Sequence, residues 1–446
     1  MAGFKKRVVS ATFWSVSGQV LQQSLRLISN LFLTRLLVPE MFGVMAVTTV
    51  IIMGLTQLSD VGITQKIIQS KHGDDISFLN MAWTLQVLQS FFISLILLLV
   101  SAGLYYSQQM EFLSIGSAYA DPRLPGILSL SALVPIINGF KSIHLVSLSR
   151  NLKLKPLIGL QVFSQIIGLC AMIFLAWYYR NIWSLVFGGM VSSLILTLFS
   201  HNSLFGPRCK FYLDSKIAKD FFNFGKWVII GSTLGFFVNQ GDRIILGALI
   251  TPEQLGIYVV AFFLANALKE LLQRLMASVF YPAISETVRN NPNNISTVYY
   301  KLRNRIDFLV AIVAALLCIN GHHVIELLYD DRYVDAGWII EILSLSLLFT
   351  GYAMASQYFM ALGNTKIHAL LSLIRTISTF IFIPLAYSFF GLKAAIWVIA
   401  IVPITEFPVY FYNMHKYKIL KLFDELRLYL IFIIAYGFFY LINKLF

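Results

Sequence analysis

Charge is scarce in this chain. Only 12% of its 446 residues are Asp, Glu, Lys or Arg, against 58% hydrophobic. A water-soluble fold of this length could not cover its surface with so little polar material, which excludes soluble enzymes and soluble nucleic-acid binders. Cysteine is nearly missing, with three in all. Cys170 and Cys318 fall inside apolar runs and Cys209 in a basic loop, which leaves neither a disulfide framework nor a metal site. Also lacking are segments of about ten residues alternating apolar and polar, the pattern of a membrane β-barrel.

What the chain has in abundance is apolar length. Runs long enough to cross a bilayer, roughly 20 residues each, are centred near residues 25, 55, 91, 134, 168, 192, 235, 266, 316, 348, 378, 403 and 435. The expected fold is an all-α integral membrane protein with about 13 transmembrane helices, 12 to 14. The first run follows Lys5, Lys6 and Arg7 as a signal peptide would. It continues to Leu37, carries Arg26 and has no small-residue cleavage site, so it reads as a retained helix.

The net charge of +13 is distributed unevenly. With the N-terminus inside, cytoplasmic loops hold 21 basic residues, including Arg150, Lys153, Lys155, Arg208, Lys210, Lys301, Arg303 and Arg305, and outer loops hold 6. That bias follows the rule that Lys and Arg stay cytoplasmic, and a single missed helix would invert every later loop. The expected placement is a bacterial inner membrane, multi-pass, with the N-terminus cytoplasmic.

Two stretches say the same thing twice. Residues 37–44 read LVPEMFGV and residues 250–257 read ITPEQLGI. A shift of 213 aligns them and also pairs Trp14 with Trp227 and Gly18 with Gly231. Proline suits the first turn of a helix, where its missing N–H costs nothing, and a glutamate there complements the positive helix end. The motif therefore marks one hairpin in two copies of a unit. Six helices separate each element from its equivalent, and an even number keeps the copies parallel. The expected organisation is two parallel-repeat six-helix lobes around a central cavity. Residues 1–205 form the N-lobe, 206–218 a cytoplasmic linker and 219–415 the C-lobe, with an extra transmembrane helix over 416–446.

Seven basic residues stay inside the runs: Arg26, Lys141, Lys226, Arg243, Lys269, Arg274 and Arg375. Each costs about 2.5–3.5 kcal/mol at the centre of a helix in lipid, so the set must meet water, partners or substrate. On the first run Ser15, Gln19, Gln22, Arg26 and Asn30 recur at helical spacing as one polar stripe. The seventh repeats it with Ser232, Gly235, Asn239 and Arg243. Lys226 near an interface, or Lys269 beside Glu270 and Arg243 beside Asp242, also fit snorkelling or paired structural charges. As a set, the candidate substrate contacts are Gln22, Arg26, Asn30, Lys141, Asn239, Arg243, Lys269, Arg274 and Arg375. An electropositive cavity attracts an anion, and guanidinium groups hold phosphate bidentately, which makes pyrophosphate a candidate. Asp60, Asp242, Glu270 and Glu406 are the intramembrane acids that could bind a driving Na+ or H+. His322, His323 and Glu326 have a metal-like spacing but sit at an outer helix end, where an interfacial role is the commoner one; no metal or organic cofactor is expected.

Taken in order, TRLLVPEMFGVMAV, LSDVGITQKIIQ, SRNLKLKP, FGKWVIIGSTL, TPEQLGIYVVA, VFYPAIS and ALGNTKI resemble the polysaccharide transporter family of the MOP flippase superfamily, the Wzx-type exporters. The resemblance runs from about residue 10 to 415. It implies a flippase moving undecaprenyl-pyrophosphate-linked oligosaccharide repeat units from the cytoplasmic to the periplasmic leaflet by alternating access. Related lipid II flippases bind pyrophosphate with cavity arginines on the first, second and eighth helices. Arg26 and Arg274 occupy compatible helices, and the second run has no arginine. Implied partners are the lipid-linked oligosaccharide and membrane lipid, with a polysaccharide polymerase and chain-length proteins as candidates, and no nucleic acid. The alternative is a multidrug or cation antiporter of the MATE type, which would want a net acidic cavity. A membrane polymerase or ligase would need a large outer loop. The longest here, about residues 104–124, has one Glu, one Asp, one Arg and no His.

Overall fold

The computed structural model describes residues 2–114, 116–276, 280, 284–285, 287–288 and 295–445. Their regular elements are all helices, with no strand among the described residues. Packing divides the chain into an N-terminal unit, Met1–Phe236, and a C-terminal unit, Phe237–Phe446, with the boundary inside one long helix.

The N-terminal unit opens with α1 (Ala2–Leu36), α2 (Pro39–Leu58), the short α3 (Ile63–Gln69) and α4 (Ile76–Gln109). Pro39 begins α2 as expected, and Glu40 in its first turn lies 3.6 Å from Arg123, which is held 2.7 Å from Asp121. The next crossing is broken into α5 (Leu124–Ser131), α6 (Leu133–Gly139) and α7 (His144–Arg150), with a bend of 62° before α7. A break inside lipid frees carbonyls that need donors, and α4 supplies them. Gln86 Nε2 donates to the Gly139 and Lys141 carbonyls at 2.8 and 2.9 Å. Ser94 Oγ donates to that of Ala132 and Ser101 Oγ to that of Pro125. Gln86, Ser94 and Ser101 of α4 are thus spent on its neighbour's backbone.

Helices α8 (Leu154–Tyr179) and α9 (Trp183–Ser200) pack through small residues. A Cβ on Gly168 would meet Ser192 Cβ at 2.4 Å, and one on Gly188 would meet Met172 Cβ at 2.3 Å. Small residues let backbones approach where no hydrophobic force drives helices together. Gly188→Ala will therefore destabilise the protein by about 1–3 kcal/mol through overpacking. Gly189→Ala, whose Cβ meets nothing within 4 Å, will not. Melting of the detergent-solubilised variants checks this, and equal melting temperatures would remove the packing argument.

Residues 206–214 lie along α4, with the backbone N–H of Lys210 and Tyr212 donating to Asn80 Oδ1 and Thr84 Oγ1. Asp214 then caps α10 (Ser215–Leu249) by accepting from the N–H of Lys216 and Ile217. α10 equals α1 in length at 35 residues, and both of its ends lie 213 positions on. α11 (Pro252–Leu275) begins on the proline equivalent to Pro39, with a full capping box of Thr251 and Gln254. The first helix of the chain and the start of the second thus recur 213 positions on.

The C-terminal unit continues with α12 (Ile295–Leu328), α13 (Ala336–Ser344), α14 (Thr350–Ala361), α15 (Thr365–Ile401), α16 (Phe407–Lys416) and α17 (Leu422–Leu445). Its core is aromatic, built on Tyr299, Tyr352, Tyr358, Phe359 and Tyr410. Gly391 breaks α15 at φ 76°, a conformation that glycine adopts without a Cβ clash.

Nine helices among the described residues are long and apolar enough to cross a membrane, or ten with the bent pair. Three features separate this figure from the thirteen runs of the sequence. One of the nine, Thr365–Lys416, is 52 residues long, about 78 Å at 1.5 Å per residue and far beyond a core of about 30 Å. The other two are α1, with its polar stripe, and α11, with Asn266, Lys269, Glu270 and Gln273, and neither helix is among the nine.

Candidate functional site

Three of the charged residues expected inside the membrane meet in one cavity of the C-terminal unit. Its volume is about 60 Å³, room for a few water molecules. Lys269 and Gln273 reach it from α11 and Arg375 from α15. Glu406 enters from the turn Val402–Glu406, which Pro403 opens, and Tyr410 from the second turn of α16. Ser346, Thr350 and Tyr352 close it on the side of α14. These positions are far apart in sequence, and the break in α15 at Gly391 is what returns Glu406 toward Arg375.

The electrostatics favour an anion. Arg375 Nη1 lies 3.8 Å from Glu406 Oε1, too long for a hydrogen bond, with Arg375 a quarter exposed and Glu406 8% exposed. Tyr410 hydrogen-bonds the Glu406 carboxylate. Lys269 lies within electrostatic reach of Arg375, Asp242 and Glu406. Among the lining side chains two are cationic and one is a carboxylate, so the cavity wall carries a formal charge of +1.

Next to this group the end of α10 presents Asp242 and Arg243 in opposite settings. Asp242 is buried and accepts a hydrogen bond from the Tyr258 hydroxyl. The Arg243 guanidinium lies 4.4 Å over the Phe262 ring and donates to Gln240 Oε1 at 2.8 Å. Arg243 is half-buried, with its Nε lacking a partner in the interior. Asn239 is exposed and makes its own contacts, and Glu270 is exposed. The side chain of Arg274 lies outside the described residues.

In the N-terminal unit the candidates are dispersed. Arg26 is exposed on α1. Gln22 turns to α8, donating to Gln161 Oε1 at 3.5 Å and accepting from Gln165 Nε2 through its carbonyl at 3.1 Å. Asn30 is half-buried and already engaged in contacts. Lys141 is half-buried in the break between α6 and α7. Asp60 caps the turn after α2, accepting from the Gly62 N–H at 2.8 Å and Ser232 Oγ at 3.4 Å.

The sequence reading also missed residues. The cavity's Ser346, Thr350, Tyr352 and Tyr410 are neutral, and an inventory of intramembrane charge passes over them. Arg303, counted there among the cytoplasmic loops, is instead inside α12 and wholly buried, paired with Asp307 at 3.2 Å and Glu425 at 2.5 Å. The i,i+4 spacing of Arg303 and Asp307 was the available signal.

The fold, a polytopic helical bundle, is one found among solved membrane proteins. The lipid II flippase MurJ in an inward closed conformation superposes with a TM-score of 0.69, covering 98% of this chain and 93% of that one at 15% identity. An inward-facing MATE-family multidrug transporter of the MOP superfamily gives 0.66, covering 91% and 98% at 14% identity. Sequence places the chain more narrowly: residues 32–338 match the family model described as polysaccharide biosynthesis protein, and the chain belongs to that family. Among curated relatives, the succinoglycan biosynthesis transport protein ExoT of Rhizobium meliloti (strain 1021) is 21% identical over 377 residues, 84% of this chain and 73% of that one.

Proposed function

We propose that the protein is a flippase for undecaprenyl-pyrophosphate-linked oligosaccharide repeat units, moving them from the cytoplasmic to the periplasmic leaflet of the bacterial inner membrane for surface polysaccharide biosynthesis. The observation that carries this reading is the pairing of Lys269 with Arg375 in a cavity lined by a single carboxylate, a wall suited to a diphosphate. Membership of the polysaccharide biosynthesis family and the transport role in ExoT's name support it. The polyprenyl tail stays in lipid while the headgroup crosses by alternating access. Arg26, Lys141 and Arg243 are further candidate contacts. Basic residues at the ends of the spans, among them Lys153, Lys155, Lys416 and Lys418, would collect the anionic headgroup on the cytoplasmic side, with the N-terminus inside.

The fold is shared equally with drug antiporters, so the choice against a cation antiporter rests on charge. A cationic drug entering the Lys269–Arg375 cavity would meet repulsion. The test is direct: the purified chain is reconstituted in vesicles containing a fluorescent polyprenyl-diphosphate oligosaccharide in both leaflets, and a membrane-impermeant quencher is added. Transport makes nearly all the label quenchable, against about half in empty vesicles. Quenching that stops at half, together with exchange of a cationic dye, would replace this reading with the antiporter.

A further inference from the structure

The C-terminal unit holds a second charged cluster outside the cavity. Arg303, wholly buried on α12, donates from Nε to Asp307 Oδ2 at 3.2 Å, and from Nη1 to Glu425 Oε1 at 2.5 Å and to the Tyr299 hydroxyl at 3.1 Å. Glu425 stands in the first turn of α17, where the helix dipole favours an anion, and also accepts from the Tyr300 hydroxyl at 2.9 Å. Two donors and the helix end hold Glu425 through Oε1, its Oε2 having no hydrogen-bond partner. Asp307 has a single donor, Arg303 at Oδ2: its Oδ1 has no hydrogen-bond partner, and its side chain is 4% exposed.

The formal charge of the three groups is −1. The other charged or titratable groups facing them are Tyr299 and Tyr300 from α12, Tyr352 from α14 with its ring 4.8 Å beneath Arg303, and Tyr429 from α17. Lys421, just before α17, is exposed and lies 5.6 Å over the Tyr300 ring. None delivers a second buried positive charge to Asp307. An uncompensated charge in a dry interior costs several kcal/mol, which uptake of one proton removes.

We propose that Asp307 is a proton-binding site, taking a proton from water onto Oδ1 to leave a neutral acid beside a neutral Arg303–Glu425 pair, and returning it when that pair is disturbed. The site adjoins the cavity through α14. A Cβ on Gly351 would come within 2.7 Å of Asp307 Oδ1, and Thr350 and Tyr352 on either side line the cavity. Tyr352 is hydrogen-bonded to Tyr429 and packs 5.5 Å from Tyr410, the hydrogen-bond partner of Glu406. Packed tyrosine side chains thus extend from the proton site to the wall of the substrate cavity. The link to transport rests on the flippase reading; the proton site itself does not.

Infrared difference spectroscopy of the reconstituted full chain tests it. Between pH 5 and 9 a carboxylic-acid C=O band will appear on acidification, disappear in Asp307→Asn and persist in Asp242→Asn. A band that does not change over this range, or that survives Asp307→Asn, overturns the proposal. Should Asp307→Asn fail to fold, the unaltered chain labelled with [4-13C]aspartate gives the same answer. The titrating band must shift with the label, and one that does not belongs to a glutamate and overturns the assignment. Because these spectra read protonation alone, a negative result leaves the vesicle assay of the flippase untouched.

Discussion

Removing both cations from the cavity will abolish surface polysaccharide without removing the protein. Each charge-assisted hydrogen bond to a phosphate contributes about 1.5–3 kcal/mol, so Lys269→Gln or Arg375→Gln alone should weaken headgroup binding by about 10- to 150-fold. Together they leave no cation in the cavity wall. The design of the variant matters because Glu406 is nearly buried, with Arg375 the nearest cation to its carboxylate. Losing Arg375 alone would strand that charge and blur transport with folding. Lys269→Gln/Arg375→Gln/Glu406→Gln takes away the positive charge and its counter-charge together. The expected result is normal membrane abundance with no surface polymer in a strain lacking the native gene, and no quenchable gain in vesicles. Full surface polymer in this triple variant would remove the cavity from the substrate path. For a cation antiporter the sign reverses, since deleting two repelling cations would leave or raise transport.

The parts of the molecule legible beforehand were those written in local pattern. The 213-residue shift could be read from Pro39 and Pro252, and it reappears as two 35-residue helices with matched ends. Apolar length gave the helical membrane class. The site was legible as a set of charges but not as a place. Lys269 and Arg375 were singled out for being costly in lipid and Glu406 as an acid that could bind a driving ion, yet nothing in sequence spacing says that they converge while Gln22 turns to α8. The chain between Arg375 and Glu406 is broken at Gly391 and at Pro403, and Lys269 joins their wall from more than a hundred positions away. Gln86, Ser94 and Ser101 look like a polar stripe but serve the carbonyls of a bent neighbour, a bend that no run of apolar residues reveals. Arg303 is the instructive miss. Counting basic residues near the end of a span assigns them to water, and only the fold brings Glu425 from the last helix to cancel the charge.

That pairing leads to the largest expected effect on stability. Arg303→Met will destabilise the protein by about 3–5 kcal/mol, the usual cost of stripping one partner from a buried ion pair. It leaves Glu425 in the interior with the hydroxyl of Tyr300 but without its cation. The damage should be local to the seat of α17, because Glu425 with Tyr300, and Asp424 with Asn304 at 3.3 Å, are the polar ties between α17 and α12. Two readouts separate this from general unfolding: a lower melting temperature in detergent, and faster tryptic cleavage at the exposed Lys416, Lys418 and Lys421 that precede α17. Adding Glu425→Met to Arg303→Met restores most of the loss, since a buried pair replaced by apolar groups of similar size is often neutral. Asp307→Asn, by contrast, mimics the neutral acid and keeps the melting temperature of the parent at pH 6. Equal destabilisation by Asp307→Asn and Arg303→Met would mean that Asp307 is held as a carboxylate, and that the charge of the cluster is met by the guanidinium alone.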